Sequence, residues 1–155
     1  LANKPTAHEP RRRARRRALQ ALYQWRLNPS PVSAIMAQFR RTQDFSNVDE
    51  DWFKMLVLGV AEHLDDLSKD LQPFSDRPFA SLDVIEQIIL AMGAWELRYA
   101  TSLPVPVILD EAVDLTRRFG AEQAHGFINA VLDRAARAWR KAPGASAGAA
   151  EDHDI

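Results

Sequence analysis

Three observations in this 155-residue chain predict an all-α fold, a single-domain bundle of about six helices. Apolar residues recur at i, i+3, i+4 and i+7 over almost all of the stretch from residue 10 to residue 141. The periodic stretches are separated by short connections containing Pro, Gly or Asn, which suit helices packed beside their chain neighbours. No alternating apolar–polar run of convincing length occurs, and no Asn-Gly hairpin dipeptide. A chain of this length buries roughly two-thirds of its unfolded surface in one core.

A first helix is predicted over about 10–27 and is stopped by Asn28-Pro29. A second covers about 31–44, with Val32, Ile35, Met36 and Phe39 on one face. The third runs from Asp49, with acids in its first turn, to Leu71, on a stripe of Phe53, Leu56, Val60, Leu64 and Leu67. The fourth starts near Ser81 or Asp83, where Asp83-Val-Ile-Glu86 has the spacing of a capping box, and ends near Ala100. Its inward residues are Ile85, Ile88, Ile89, Met92 and Trp95. The third and fourth helices are the most apolar and are expected at the centre, with Gly59 and Gly93 allowing close helix approach. The fifth begins at Pro106, a good first-turn residue, and stops at Gly120, a good residue just past a helix. Ile108, Ala112, Leu115 and Phe119 form its stripe. The sixth covers about 122–141 on Ile128, Val131, Leu132, Ala135 and Trp139. Residues 1–10 read as a flexible lead, and 142–155, rich in Ala, Gly and acids, as a disordered tail.

Charge is segregated along the chain. Residues 1–26 hold eight Lys+Arg and one acid, a net of +7; residues 27–155 hold twelve Lys+Arg and twenty acids, a net of −8. Six of the basic residues form one block, Arg11-Arg-Arg-Ala-Arg-Arg-Arg17, fused to Ala18-Leu-Gln-Ala-Leu-Tyr-Gln-Trp25. A basic end on an acidic body points to a polyanionic partner. The chain has no cysteine, which removes disulfides, thiolate metal sites and thiol catalysis and fits a reducing cytoplasm. No apolar run reaches the length of about 20 residues that a membrane span requires. The four histidines have no ligand spacing, so neither a metal nor another cofactor is expected.

At about 100° per residue, Ala18, Leu19, Leu22 and Trp25 of the first helix share the core side. Arg12, Arg13, Arg16, Gln20 and Tyr23 form a polar stripe, while Arg11 and Arg15 point towards the core. The helix is therefore expected to project beyond the bundle, or to fray, at its N-terminal end. Arginines neutralise phosphates and stack on bases, glutamine reads a base edge, and tyrosine offers a ring or a hydroxyl. That set suits RNA; a solvated basic face is the plainer reading. The chain shows no helix-turn-helix or zinc-finger signature, which leans away from DNA.

Asp110, Glu111 and Asp114 pair acids on the fifth helix, but acids near a helix N-terminus are explained by the dipole. There is no phosphate-cradling glycine loop and no nucleophile elbow, so no enzyme is expected. In Phe127-Ile-Asn129, Phe127 reads either as a core aromatic or as a ring that stacks a base, and Asn129 as a local cap.

These residues carry a family resemblance. Arg12-Arg-Ala-Arg-Arg-Arg-Ala-Leu-Gln-Ala-Leu-Tyr-Gln-Trp25, Pro106-Val-Ile-Leu-Asp-Glu-Ala-Val-Asp-Leu-Thr-Arg-Arg-Phe-Gly120 and Phe127-Ile-Asn-Ala-Val-Leu-Asp133 resemble three motifs of the NusB family of bacterial transcription antitermination factors. The resemblance covers roughly residues 11–141. It implies six to seven helices in two packed sub-bundles. It also implies binding to single-stranded boxA RNA of ribosomal RNA operon leaders, a heterodimer with the ribosomal protein NusE, and assembly with RNA polymerase, NusA and NusG. Carried over, the RNA contacts are Arg11, Arg12, Arg13, Arg15 and Arg16, with Gln20 from the stripe and Gln123 and Phe127 at the entry to the last helix. Tyr23 and Glu86 match the positions that face NusE. A free protein with these surfaces unused is expected to self-associate as a homodimer. The chain departs from the family pattern at Asp110, where Asn is usual, at Gln123, often acidic, and at Ala130, usually Gly. A second expectation of a different class is a helical protein–protein adaptor, similar to the domain that opens certain ribosomal RNA cytosine methyltransferases. With no cysteine and a chain that ends after the helical region, it is not expected to be that enzyme itself.

Overall fold

The computed structural model describes residues 8–140. Residues 1–7 of the expected lead and all of the expected tail lie outside the described residues. Six α-helices follow in order: α1 (His8–Leu27), α2 (Val32–Thr42), α3 (Glu50–Leu71), α4 (Val84–Tyr99), α5 (Val105–Phe119) and α6 (Ala124–Trp139). Two 3₁₀ turns, Gln72–Phe74 and Phe79–Ser81, fill the α3–α4 connection, and no strand is present among the described residues. The helical periods therefore located all six α-helices to within a few residues, while the two 3₁₀ turns fall in a stretch read as a loop.

Helices α1, α2 and α3 pack on one another, as do α4, α5 and α6, and α4 also packs on α1 and α3 to join the two groups. Every residue of α4 from Glu86 to Leu97 is buried, as a helix enclosed on all sides requires. Only α4 is central: α3 buries Phe53, Leu56, Val60 and Leu67 but leaves Leu58, Glu62, Asp65 and Asp66 to solvent. Close approach depends on two glycines. A Cβ on Gly59 would lie 2.2 Å from Trp95 Nε1, and one on Gly93 2.7 Å from Leu132 Cδ1.

Three local expectations change. First, α1 begins at His8, inside the stretch read as a lead, and neither projects nor frays among the described residues. The Asp49 amide donates to the Pro10 carbonyl (3.1 Å), and Arg11 lies 3.8 Å from the Asp49 carboxylate, so the α2–α3 connection holds the start of α1 down. Second, the capping box does not form: Asp83 makes no side-chain cap, and Glu86 is buried instead of reaching back. Asp49, by contrast, caps α3 through the Trp52 amide (3.0 Å). Third, Gly120 leaves α5 in extended backbone (φ −90°, ψ −176°), and a Cβ there would sit 2.9 Å from the Thr116 carbonyl oxygen. The left-handed residue of this turn is Gln123 (φ 77°), which starts α6.

Candidate nucleic-acid and partner interface

The arginine block divides by helical phase. Arg11 and Arg15, one turn apart, face the bundle. The Arg11 guanidinium lies 4.0 Å over the Trp52 ring. Arg15 is 2 % exposed; its Nε donates to Glu96 Oε2 (2.9 Å) and its Nη1 lies 3.6 Å from Glu111 Oε1. Trp52 Nε1 donates to the same Glu96 oxygen (2.9 Å). Burial pushes the Glu96 carboxyl up, against the pull of Arg15 and the Trp52 indole. Arg15, expected to touch RNA, is thus enclosed in an ion-pair network that ties α1 to α3, α4 and α5. The sequence carried a signal for this. Arg15 sits four residues before Leu19, Glu96 four after Met92, and Glu111 three after Ile108, so opposite charges occupy three core stripes.

Arg12, Arg13, Arg16, Gln20 and Tyr23 all retain access to solvent. Arg12 grips the buried Glu111 through Nε (3.2 and 3.3 Å) and Nη2 (3.0 Å), and this contact raises its already high pKa. His8 Nε2 lies 3.3 Å from the same carboxylate. Arg16 is 3.5 Å from Asp114, and Arg13 is 3.7 Å from Glu9 in its own helix. Arg17 donates to the Asp44 carbonyl (3.1 Å) and to Gln20 Oε1 (3.3 Å), so Gln20 already has a partner. Glu111 and Asp114, explained from sequence by the helix dipole, instead hold the arginine stripe in place.

The stripe leads into a groove of about 430 Å³ lined by Tyr23, Asp83, Val84, Ile85, Phe119, Gly120 and Ala121. Tyr23 is exposed there, beside the first turn of α4. Glu86, one residue beyond, is 4 % exposed; burial and then the Asp83 charge push its carboxyl up, while Arg77 opposes them. Gln123 is exposed at the mouth of α6, and Phe127 is half-buried against the core with the Arg77 guanidinium 5.1 Å from its ring centre. Asn129 faces solvent. Among the described residues, no three His, Asp or Glu side chains cluster as a metal site would need, and no helix is long and apolar enough to cross a membrane.

Known proteins share this sequence pattern and this fold. The NusB family model matches residues 12–137. The transcription antitermination protein NusB of Idiomarina loihiensis is 44% identical over 137 residues, covering 88% of this chain and 96% of the relative. Among solved structures, NusB of T. maritima superposes with a TM-score of 0.72 at 27% identity, over 83% of this chain and 91% of that one. A crystal structure of the antitermination factors NusB and NusE in complex with dsRNA gives a TM-score of 0.69 at 22% identity, over 83% and 97%, a likeness of fold. With a family match spanning all six helices and a relative this similar over nearly its whole length, the chain belongs to the NusB family.

Proposed function

We propose that this chain is a cytoplasmic, non-enzymatic antitermination factor that binds the single-stranded boxA RNA of ribosomal RNA operon leaders together with NusE, and joins RNA polymerase with NusA and NusG. The observation that carries this reading is the stripe of Arg12, Arg13 and Arg16, fixed on an ordered helix and continuous with the Tyr23 groove. Guanidinium groups held by carboxylates lose less conformational freedom when a phosphate arrives. RNA contacts fall to Arg12, Arg13, Arg16, Gln20, Gln123 and Phe127, and the NusE contact to Tyr23, while Glu86, read from sequence as a second NusE contact, is buried and supports that surface from within. Arg11 and Arg15 serve as supports. A relative has been solved with NusE and dsRNA, which favours both partner classes. Self-association of the free chain through the same surfaces belongs to this reading.

Fluorescence anisotropy with a labelled boxA oligonucleotide, single-stranded and as a duplex, with and without NusE, tests it. Three or four phosphate contacts give a slope of log K against log[salt] near −2 to −3 (about −0.7 for each contact on a single strand). Arg12 is a poor residue to remove, because Glu111 depends on it. Arg13→Gln with Arg16→Gln removes two charges whose partners are partly exposed, and should weaken binding about tenfold or more at unchanged helicity. No binding to either RNA form, alone or with NusE, sinks the proposal.

A further inference from the structure

The connection between α3 and α4 carries one arginine, Arg77, to which the proposed function gives no ligand contact. Arg77 is exposed, and its backbone is fixed on both sides. Its carbonyl accepts from Gln72 Nε2 (3.0 Å) and Ser75 Oγ (2.7 Å), and its amide donates to Ser75 Oγ (3.1 Å). The Phe79 amide donates to Gln72 Oε1 (2.8 Å), closing the loop on itself. Arg134 of α6 donates to the Phe74 carbonyl (2.7 Å), and Phe74 meets Trp139 edge-on at 5.8 Å, so the loop moves with α6. The guanidinium lies over the ring of Phe127 of that same helix, 5.1 Å from its centre. Among the described residues it makes no hydrogen bond or ion pair. A well-presented guanidinium with all five donors unengaged, on an otherwise acidic body, calls for an anion.

Helix pairing places this arginine at the end of the stripe. Arg12 meets Glu111, Arg16 meets Asp114, and Tyr23 lines a groove with Phe119 and Ala121, so α1 and α5 point the same way and are linked by their long side chains. From Arg12 to Tyr23 this track is about 16 Å long at the helical rise. It then passes Gln123 to Phe127 and Arg77.

We propose that Arg77, lying over the Phe127 ring, binds a backbone phosphate of the RNA and extends the RNA surface from α1 and α6 onto the α3–α4 connection. This rests on the RNA-binding reading above. Cation–π attraction to Phe127 restricts where the guanidinium sits, while its N–H groups remain available to grip a phosphodiester.

The test is the boxA anisotropy titration across a salt series with Arg77→Gln and Arg77→Lys in the full chain. Arg77→Gln is expected to lower affinity about fivefold and to make the salt slope less negative by about 0.7, the value of one phosphate on a single strand. Arg77→Lys should keep the slope and still lose about twofold to threefold, because a point charge replaces the planar fork. Both variants should melt with the unaltered chain, since the side chain is exposed. Unchanged affinity and slope in Arg77→Gln, while Arg13→Gln/Arg16→Gln weakens binding, overturns the inference and leaves the RNA reading standing. A loss of affinity with an unaltered slope overturns the phosphate assignment. If the unaltered chain binds no RNA, the RNA reading itself falls and takes this inference with it.

Discussion

Replacing Arg15 by Met separates a structural arginine from an RNA-binding one. The change removes the cation between Glu96 and Glu111, whose side chains are each 3 % exposed. Removing one partner of a buried pair costs about 3–5 kcal/mol, because the remaining charge stays in the interior unpaired. The local contacts argue for the lower end. Trp52 still donates to Glu96, and Arg12 and His8 still face Glu111. A loss of about 3 kcal/mol is a large part of a typical stability of about 5–15 kcal/mol. It should lower the melting temperature by roughly 6–12 °C in a domain of this size.

Thermal melts followed by far-ultraviolet circular dichroism measure this, and two comparisons sharpen it. The carboxyl of Glu96 is already pushed up by burial, and losing Arg15 pushes it further. An acid whose native pKa is raised loses stability as pH rises through the window between its unfolded and native values. The deficit of Arg15→Met should therefore shrink as the solution is acidified towards that window. In the second comparison, Arg15→Met/Glu96→Met should cost less than Arg15→Met alone, since apolar side chains of similar volume replace a buried pair with little penalty. RNA affinity of Arg15→Met, measured well below its melting point, should stay within about twofold, because no phosphate contact is lost. A single variant as stable as the unaltered chain, or one that keeps its stability and loses RNA, would refute the reasoning.

Two further outcomes follow from groups at the ends of α4. Arg140 reaches back from the end of α6 to the carbonyls of Glu96, Leu97, Ala100 and Leu103, through Nε (2.9 Å to Leu97), Nη2 (3.0 and 2.8 Å to Glu96 and Ala100) and Nη1. Arg140→Ala should cost about 2 kcal/mol in urea unfolding, as charge-assisted bonds to the carbonyls at the end of α4 and in the connection after it are lost, and Lys should restore less than half of it. At the other end, burial raises the carboxyl of Glu86, so its ionised form works against folding above that raised value. Glu86→Gln should melt higher than the unaltered chain at pH 7, with the gain gone below about pH 4, where both states of the acid are protonated.

The fold was legible because burial follows period: the stripes of Phe53, Leu56, Val60 and Leu67 and of Ile128, Val131, Leu132 and Ala135 are the ones that face the core. Gly59 and Gly93 were read as contact points, and Trp95 and Leu132 fill the space above them. The site was legible only in part, because a helical wheel gives direction and not partner. It set Arg15 inward but could not say which of the acids on other core stripes would meet it, so projection or fraying was the reasonable resolution. The answer lay 81 and 96 residues away, in Glu96 and Glu111. Arg140 was invisible for the same reason: its four acceptors lie at the end of α4 and in the connection after it, which come near only when α6 returns along α4. The capping box at Asp83 failed because burial of the first turn of α4 outweighed a local hydrogen bond worth about 1 kcal/mol.

Composition overstates the positive charge that RNA would meet. The net of +7 over residues 1–26 faces Asp49, Glu96, Glu111 and Asp114 in the folded chain, which engage Arg11, Arg15, Arg12 and Arg16. Long-range attraction should therefore be weaker than the sequence suggests, and the salt slope shallower than six free arginines would give. The same acids improve the short-range geometry. Glu111 takes the Nε and Nη2 edge of Arg12, which leaves Nη1 for a phosphate and fixes the plane in which it is offered. An arginine stripe built on its own counterions gives up steering to gain preorganisation. That exchange would suit the proposed function, in which the RNA and this chain are held in one assembly and effective concentration replaces long-range attraction.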